Sequence, residues 1–376
     1  MNRCHPHART GSTVAALTLL TLCSASVFAP AQTAPAQTIV TFNAPGAGTG
    51  TGQGTFAASI NTAGVSVGGF VDLGGLGHAF IRTANGTIST FDAPGAGSGN
   101  GQGTGAISIN AGGTIAGSYT DSGDVNHGFL RSAGGVITSF NAPGAGTGAG
   151  EGTVSHSINT AKTIAGEFSD SGSVNHGFVR SASGVITAIN VPGAGTGINQ
   201  GTIAYAINTA GTIAGQYFDS GGVVHGFVRA ANGTITKFNV PGAGTKIGQG
   251  TRVNAISSTG LIVGLYSDPG GVLHGYSRSA GGVFTKFNAP GAGTGKGQGT
   301  DSFGVNTAGV ITGIYIDSGS VGHGFVRAAN GTFTTFNAPG AGTGNGQGTF
   351  PFAINTAGTI AGFYLGSISE FHGFVR

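Results

Sequence analysis

The chain has 376 residues, of which 77 are glycine; charged residues make up 7% and the formal net charge is +3. Charge this sparse, with no clustered Lys or Arg, excludes the basic field that nucleic-acid binding requires, so no nucleic-acid partner is expected. Both cysteines, Cys4 and Cys23, lie near the N-terminus, which leaves the rest of the chain without a disulfide or a thiol nucleophile.

The first segment stands apart. Arg3, His5, His7 and Arg9 precede an apolar run from Val14 to Cys23, and Ala29-Pro30-Ala31 follows. That order reads as a secretory signal peptide over residues 1–31, cut before Gln32. The apolar run, about ten residues, is too short to span a bilayer as a helix, and no later segment supplies a comparable one. The mature chain, residues 32–376, is therefore expected to carry no transmembrane segment and to sit in the periplasm, at the cell surface or outside the cell.

From Phe42 a pattern returns every 49 positions without drift, at Phe91, Phe140, Ile189, Phe238, Phe287 and Phe336. A fixed period near 50 holding several short apolar runs marks units that bury their surfaces only against neighbours. The high glycine content would suit a flexible chain. The strict register and the placement of glycine at turns argue instead for order.

Each unit reads as four strands. The first ends in Ile-Asn, as at Ile60-Asn61 and Ile207-Asn208, with Ile256-Ser257 and Val305-Asn306 as variants. The second is the Thr212–Tyr217 type, with glycines from Gly68 to Gly362 in register and an aromatic two residues on. The third is His225–Arg229, and a turn such as Ala231-Asn232-Gly233 leads to the fourth, Thr234–Asn239. Asn-Gly between apolar runs is a strong hairpin signal. Four strands repeated seven times predict an all-β fold, a seven-bladed β-propeller. The chain begins, after the signal, with an isolated fourth strand, Thr38–Asn43, and stops at Arg376 after a third strand. Strand 38–43 is expected to complete the last blade and close the ring, removing open sheet edges.

The I-N-x-x-G, G-x-Y-x-D and H-G-F-V-R series, with His78-Ala79-Phe80 as a literal H-A-F, resembles the HAF-repeat family of bacterial proteins held to be extracellular. The resemblance covers nearly the whole mature chain. It implies export and a repeat fold, and carries no catalytic residues to transfer.

Seven histidines, from His78 to His372, recur once per unit, and six of them follow an aspartate by six residues; Gly366 stands in the seventh aspartate slot. Third strands of different blades lie about 10 Å outside the innermost strand, too far apart for their histidines to share an ion at about 2.0 to 2.2 Å. These residues are expected to be architectural, and no metal or cofactor is expected. The Gly-rich connections such as Asn43–Gly50 are followed by a strand, not by the helix a phosphate loop needs.

Function is sought where the copies disagree. The positions two and four residues before the Ile slot read Phe56/Ala58, Gly105/Ile107, Val154/His156, Ile203/Tyr205, Arg252/Asn254, Asp301/Phe303 and Phe350/Phe352. They are expected to be the most variable strand positions of the repeat and to ring the axis if the first strand is innermost; relaxed packing is the bland alternative, because position 58 would share a pleat face with the buried Ile. His156, Tyr205, Arg252, Asn254 and Asp301 form the candidate ligand-binding arc. The expectation is a monomeric binding or scaffold module for an extracellular glycan or protein. A polymer-degrading enzyme, a glycan lyase or hydrolase, is the alternative, and a purely structural surface protein the third reading. Asp301 is the one acidic residue of the variable set, with Glu151 and Glu370 as unplaced partners for a carboxylate pair.

Overall fold

A computed structural model describes residues 38–376; the expected signal peptide, residues 1–31, lies outside them. Among the described residues every regular element is a β-strand, and the strands group in fours. In the first blade these are Gly54–Ile60, Ser66–Val71, Gly77–Arg82 and Ile88–Phe91, each pairing antiparallel with the next. The pattern recurs six times at the repeat spacing, giving the seven-bladed β-propeller. Gly54–Ile60 and its six counterparts are the innermost strands, since one residue from each lines a single axial cavity.

Closure follows the sequence expectation with tighter bounds. Val40–Phe42 pairs antiparallel with the last strand, Phe371–Val375, in the register Val40↔Val375, Thr41↔Phe374 and Phe42↔Gly373. The seventh blade is thus built from both ends of the described residues, which leaves its third strand no free edge.

The core lies between blades. The Phe of each H-G-F-V-R run, from Phe80 to Phe374, is fully buried, and Tyr276 fills the slot in the fifth blade. The Arg closing that run reaches to the neighbouring blade: the Arg82 guanidinium stands 4.9 Å from the Phe42 ring centroid and that of Arg376 4.6 Å from the Phe336 centroid. Such contacts contribute packing as well as charge–quadrupole attraction.

Two glycine slots are dictated by close approach. Gly54 enters the inner strand at φ 110°, and a Cβ there would strike the Phe371 carbonyl of the neighbouring blade. Gly68 faces the bulged inner strand, where a Cβ would strike the Phe56 carbonyl. Both need a residue without a side chain.

The bulge changes the reading of the inner strand. Ala57 pairs with Gly68 and Ser59 with Val67, so residue 58 is an extra residue with no partner, and the same slip occurs in all seven blades. A one-residue insertion reverses the alternation beyond it. Ala57, not Ala58, therefore shares the buried face with Ile60, and the two sit in one core cluster. The bland alternative for position 58, a shared face with Ile60, is corrected by this register shift.

Candidate functional site

Freed from the interblade face, the bulged residues Ala58, Ile107, His156, Tyr205, Asn254, Phe303 and Phe352 line one axial cavity of about 340 Å³. Three of the five candidate residues, His156, Tyr205 and Asn254, thus meet in one cavity. Arg252 and Asp301 lie two residues nearer the start of their strands and are not among its lining residues.

The lining is two-sided. His156 and Tyr205 stack at 4.7 Å between centroids with 16° between planes. Phe303 and Phe352 stack likewise at 4.7 Å and 14°. Asn254 separates the two aromatic pairs on one side of the ring, and Ala58 and Ile107 separate them on the other. A further stack of Phe352 on Phe363, at 5.5 Å, and of Phe350 on Phe363, at 5.1 Å, backs the apolar side.

Charged groups support the polar side from behind. The Asn254 amide donates to Asp301 Oδ1 at 2.8 Å and to the Ser302 carbonyl at 3.0 Å. Both partners are acceptors, which fixes the orientation of the amide. Burial pushes the Asp301 carboxyl up to about 7, against the Asn254 bond and the Arg252 charge, which favour ionisation. Arg252 itself donates to the Gly248 carbonyl at 3.4 Å and lies 5.8 Å from the Phe218 centroid. Burial, joined by the Glu167 and Asp301 charges, raises the Tyr205 hydroxyl above its ordinary value, with Arg252 opposing.

Glu167 was missed by the sequence reading. It lies on the second strand of its blade, with Oε1 3.4 Å from His156 Nε2, and its Oε2 is buried without a hydrogen-bond partner. Its slot reads Gly69, Ser118, Glu167, Gln216, Leu265, Ile314 and Phe363, as varied as the inner-strand positions, which corrects the expectation that variability concentrates there. The signal was present between two repeated residues, a glycine and an aromatic. The slot faces the next blade: Ser118 Oγ accepts from Ser155 N and Gln216 Oε1 from Val253 N.

The repeated histidines are bound within their blades. His225 Nε2 contacts Asp219 Oδ2 at 3.1 Å, Nδ1 contacts Asn239 Oδ1 at 2.9 Å, and the ring stacks on Tyr217 at 4.9 Å. In the last blade Glu370 replaces the missing aspartate, with Oε1 3.3 Å from His372 Nε2, and Asn43 from the N-terminal strand completes the triplet at 2.9 Å. Glu151 occupies a Gln slot in a crossover loop and accepts from Gly148 N at 2.7 Å. Glu370 and Glu151 are thus engaged in local turns. Among the described residues no three or more His, Cys, Asp or Glu side chains are grouped so as to hold a metal ion.

No protein-family model matches the chain, and no curated protein matches it either. Among solved structures the BP39L lectin from Burkholderia pseudomallei is similar at a TM-score of 0.51 and 9% identity, covering 84% of this chain and 96% of that one. The likeness establishes the fold. A mutant of the Aleuria aurantia lectin in complex with Fucα1-6GlcNAc gives a TM-score of 0.43 at 12% identity over 75% of this chain and 94% of that one. A protein of unknown function from Bacteroides thetaiotaomicron gives 0.40 at 11% over 91% and 99%. Among the described residues no helix is long and apolar enough to cross a membrane.

Proposed function

We propose that the chain acts outside the cytoplasm as a binding propeller whose ligand, a glycan or a protein segment, enters the axial cavity. The observation that carries this reading is the chemistry of the bulge position. The first blade holds a small residue there, Ala58, yet other blades hold His, Tyr and Asn on one side and two Phe on the other. A concave space with an apolar wall and a few convergent polar groups is the usual form of a ligand site. The first-segment composition and the HAF-repeat resemblance support export. That a fold-mate is a lectin places sugars among the ligands to try first.

The test is a glycan and peptide array probed with the mature protein, followed by the Tyr205→Ala and Asn254→Ala variants on each ligand retained. Binding lost in both variants, with melting temperature kept, is the expected result. Binding indifferent to both moves the site to the outer loops.

A second reading has one observation in its favour. A carboxylate, Glu167, stands 3.4 Å from an imidazole, His156, that lines a cavity, the residue pair from which a general base is built once the contact closes to a hydrogen bond. If the chain is an extracellular glycan lyase or hydrolase, polymer cleavage should disappear in His156→Ala.

A further inference from the structure

Resting on the axial reading, we infer that the cavity accepts a small sugar bearing a free ammonium group. The donor and acceptor inventory of the polar wall points there. Both amide protons of Asn254 are spent on Asp301 and Ser302, so only its Oδ1 is left for a ligand, and that oxygen can only accept. His156 turns Nε2 to within 3.4 Å of Glu167 Oε1 without a hydrogen bond between them, so the ring brings the carboxylate close to the polar wall and meets a ligand through either sense of hydrogen bond. The Tyr205 hydroxyl accepts or donates as the ligand demands. The unspent Asn254 Oδ1 and the unpartnered Glu167 Oε2 are both acceptors and call for a donor on the ligand.

Charge points the same way. Glu167 stands directly behind His156 and its Oε2 has no hydrogen-bond partner, whereas Asp301 is taken up by Asn254 and held toward its neutral form by burial. The cation that acts on Tyr205 and Asp301 is Arg252, whose guanidinium is turned to the Gly248 carbonyl and the Phe218 ring. The Glu167 charge behind the cavity favours a cationic guest. Aromatic rings add to it: a cation near Tyr205 gains from the ring quadrupole, and Phe303 and Phe352 offer an apolar wall for the C–H face of a pyranose. The volume, about 340 Å³, lies at the lower end for ligand cavities, which suits a small sugar or a chain end better than the middle of a polymer.

Calorimetric titration of the mature chain near neutral pH tests this with four probes: glucosamine, N-acetylglucosamine, glucose and Nα-acetyl-lysine amide. Glucosamine should bind at least about tenfold more tightly than its acetylated or hydroxyl counterparts, the scale of one charge-assisted hydrogen bond. Glu167→Gln should remove most of that preference. Equal affinity for glucosamine and N-acetylglucosamine or glucose, abolished by Tyr205→Ala, overturns the ammonium requirement and leaves the axial sugar reading standing. Tighter binding of the lysine amide overturns the choice of a sugar in favour of a peptide. No binding by any probe overturns the inference, and sugar binding indifferent to Tyr205→Ala and Asn254→Ala overturns it together with the axial site. The wild-type comparison of glucosamine with its acetylated form requires no variant to fold.

Discussion

Asn355 in the last blade donates its side-chain amide to the main-chain carbonyl of Asn61 in the first, at 3.1 Å. The bond is one link of a belt around the inner strands. Asn61 donates to Asn110, Asn110 to Asn159, Asn159 to Asn208, Asn208 to Ser257 and Asn306 to Asn355, at 3.0 to 3.3 Å. The Oδ1 atom of each belt Asn meanwhile caps its own turn, as Asn208 does for Ala210 N and Thr212 N. One side chain thereby ties a local turn to a neighbour 49 residues away.

The belt has a gap at Ser257, whose short hydroxyl serves Leu261 N and Thr259 and cannot reach the next blade. Ser257→Asn should supply the missing link to the Asn306 carbonyl and cap the turn as the other copies do. A buried hydrogen bond is worth about 0.5–1.5 kcal/mol, so the variant should unfold at a correspondingly higher urea midpoint. Asn355→Ala should lose more, about 1–3 kcal/mol, because it strips a turn of its acceptor as well. Equal midpoints for both variants and wild type would remove the belt from the account of closure.

Closure also depends on the N-terminal strand. Deleting residues 38–43 removes the ladder on Phe371–Val375, the Asn43 partner of His372 and the Phe42 ring under Arg82. The truncated protein should expose an unpaired edge and self-associate. Sedimentation velocity should show oligomers, with a lowered melting temperature; a monomer melting at the wild-type temperature would contradict this role.

The last blade offers a swap. Glu370 supplies the carboxylate that Asp supplies elsewhere, and a Cβ on Gly366 would strike the Glu370 carboxylate. Gly366→Asp alone should therefore destabilise. Combined with Glu370→Val, the residue of that slot in five of the other six blades, it should recover most of the loss by restoring the arrangement of the other blades. Thermal melts of the two single variants and the double variant decide it; additive losses would mean that Glu370 is not a substitute for the aspartate.

The acid limb of stability should trace the repeated aspartates. In Asp121 the His127 bond, followed by the Val125 and Gly123 amides, holds the carboxyl below the ordinary 3.8. In Asp170 the Val174 amide leads, with the His176 bond next. A depressed native value stabilises the fold above the unfolded value and is lost as pH falls through the native one. Melting temperature should therefore drop as pH is lowered below about 3.8, and Asp121→Asn should flatten that drop slightly while keeping the turn. A steeper drop in the variant would reverse the assignment.

The architecture was legible because each blade solves the same packing problem with the same residues. The His of H-G-F-V-R, the Gly of the second strand and the complementary chain ends each had a single consistent use. The site was only partly legible. A bulge leaves no mark in spacing, since residue 58 keeps its place in the 49-residue count while its side chain changes neighbours. Arg252 read as a lining charge because alternation, unbroken, puts it on one face with Asn254. Glu167 escaped because it lies on a different strand from the residues it supports, and Glu370 because a substitute four residues from the empty slot keeps no register with the repeat.

Asp301 gives the sharpest pH test. Its carboxyl is pushed up to about 7 from an ordinary 3.8, first by burial. The unfolded chain then ionises Asp301 between those values while the folded chain resists, so the folded state loses stability as pH rises across that window. Asp301→Asn removes the ionisable group and keeps an oxygen to accept from the Asn254 amide. The variant should match wild type near pH 4 and exceed it above pH 7. Each shifted unit corresponds to about 1.4 kcal/mol, and Asp301 is only partly buried, which reduces the sum, so the gain expected at pH 8 is about 1–3 kcal/mol. Urea unfolding of both proteins at the two pH values measures it. A gain present at pH 4 as well would mean that packing, not charge, distinguishes the variant, and a loss at pH 8 would mean that an ionised Asp301 is stabilised by Arg252 more than burial penalises it.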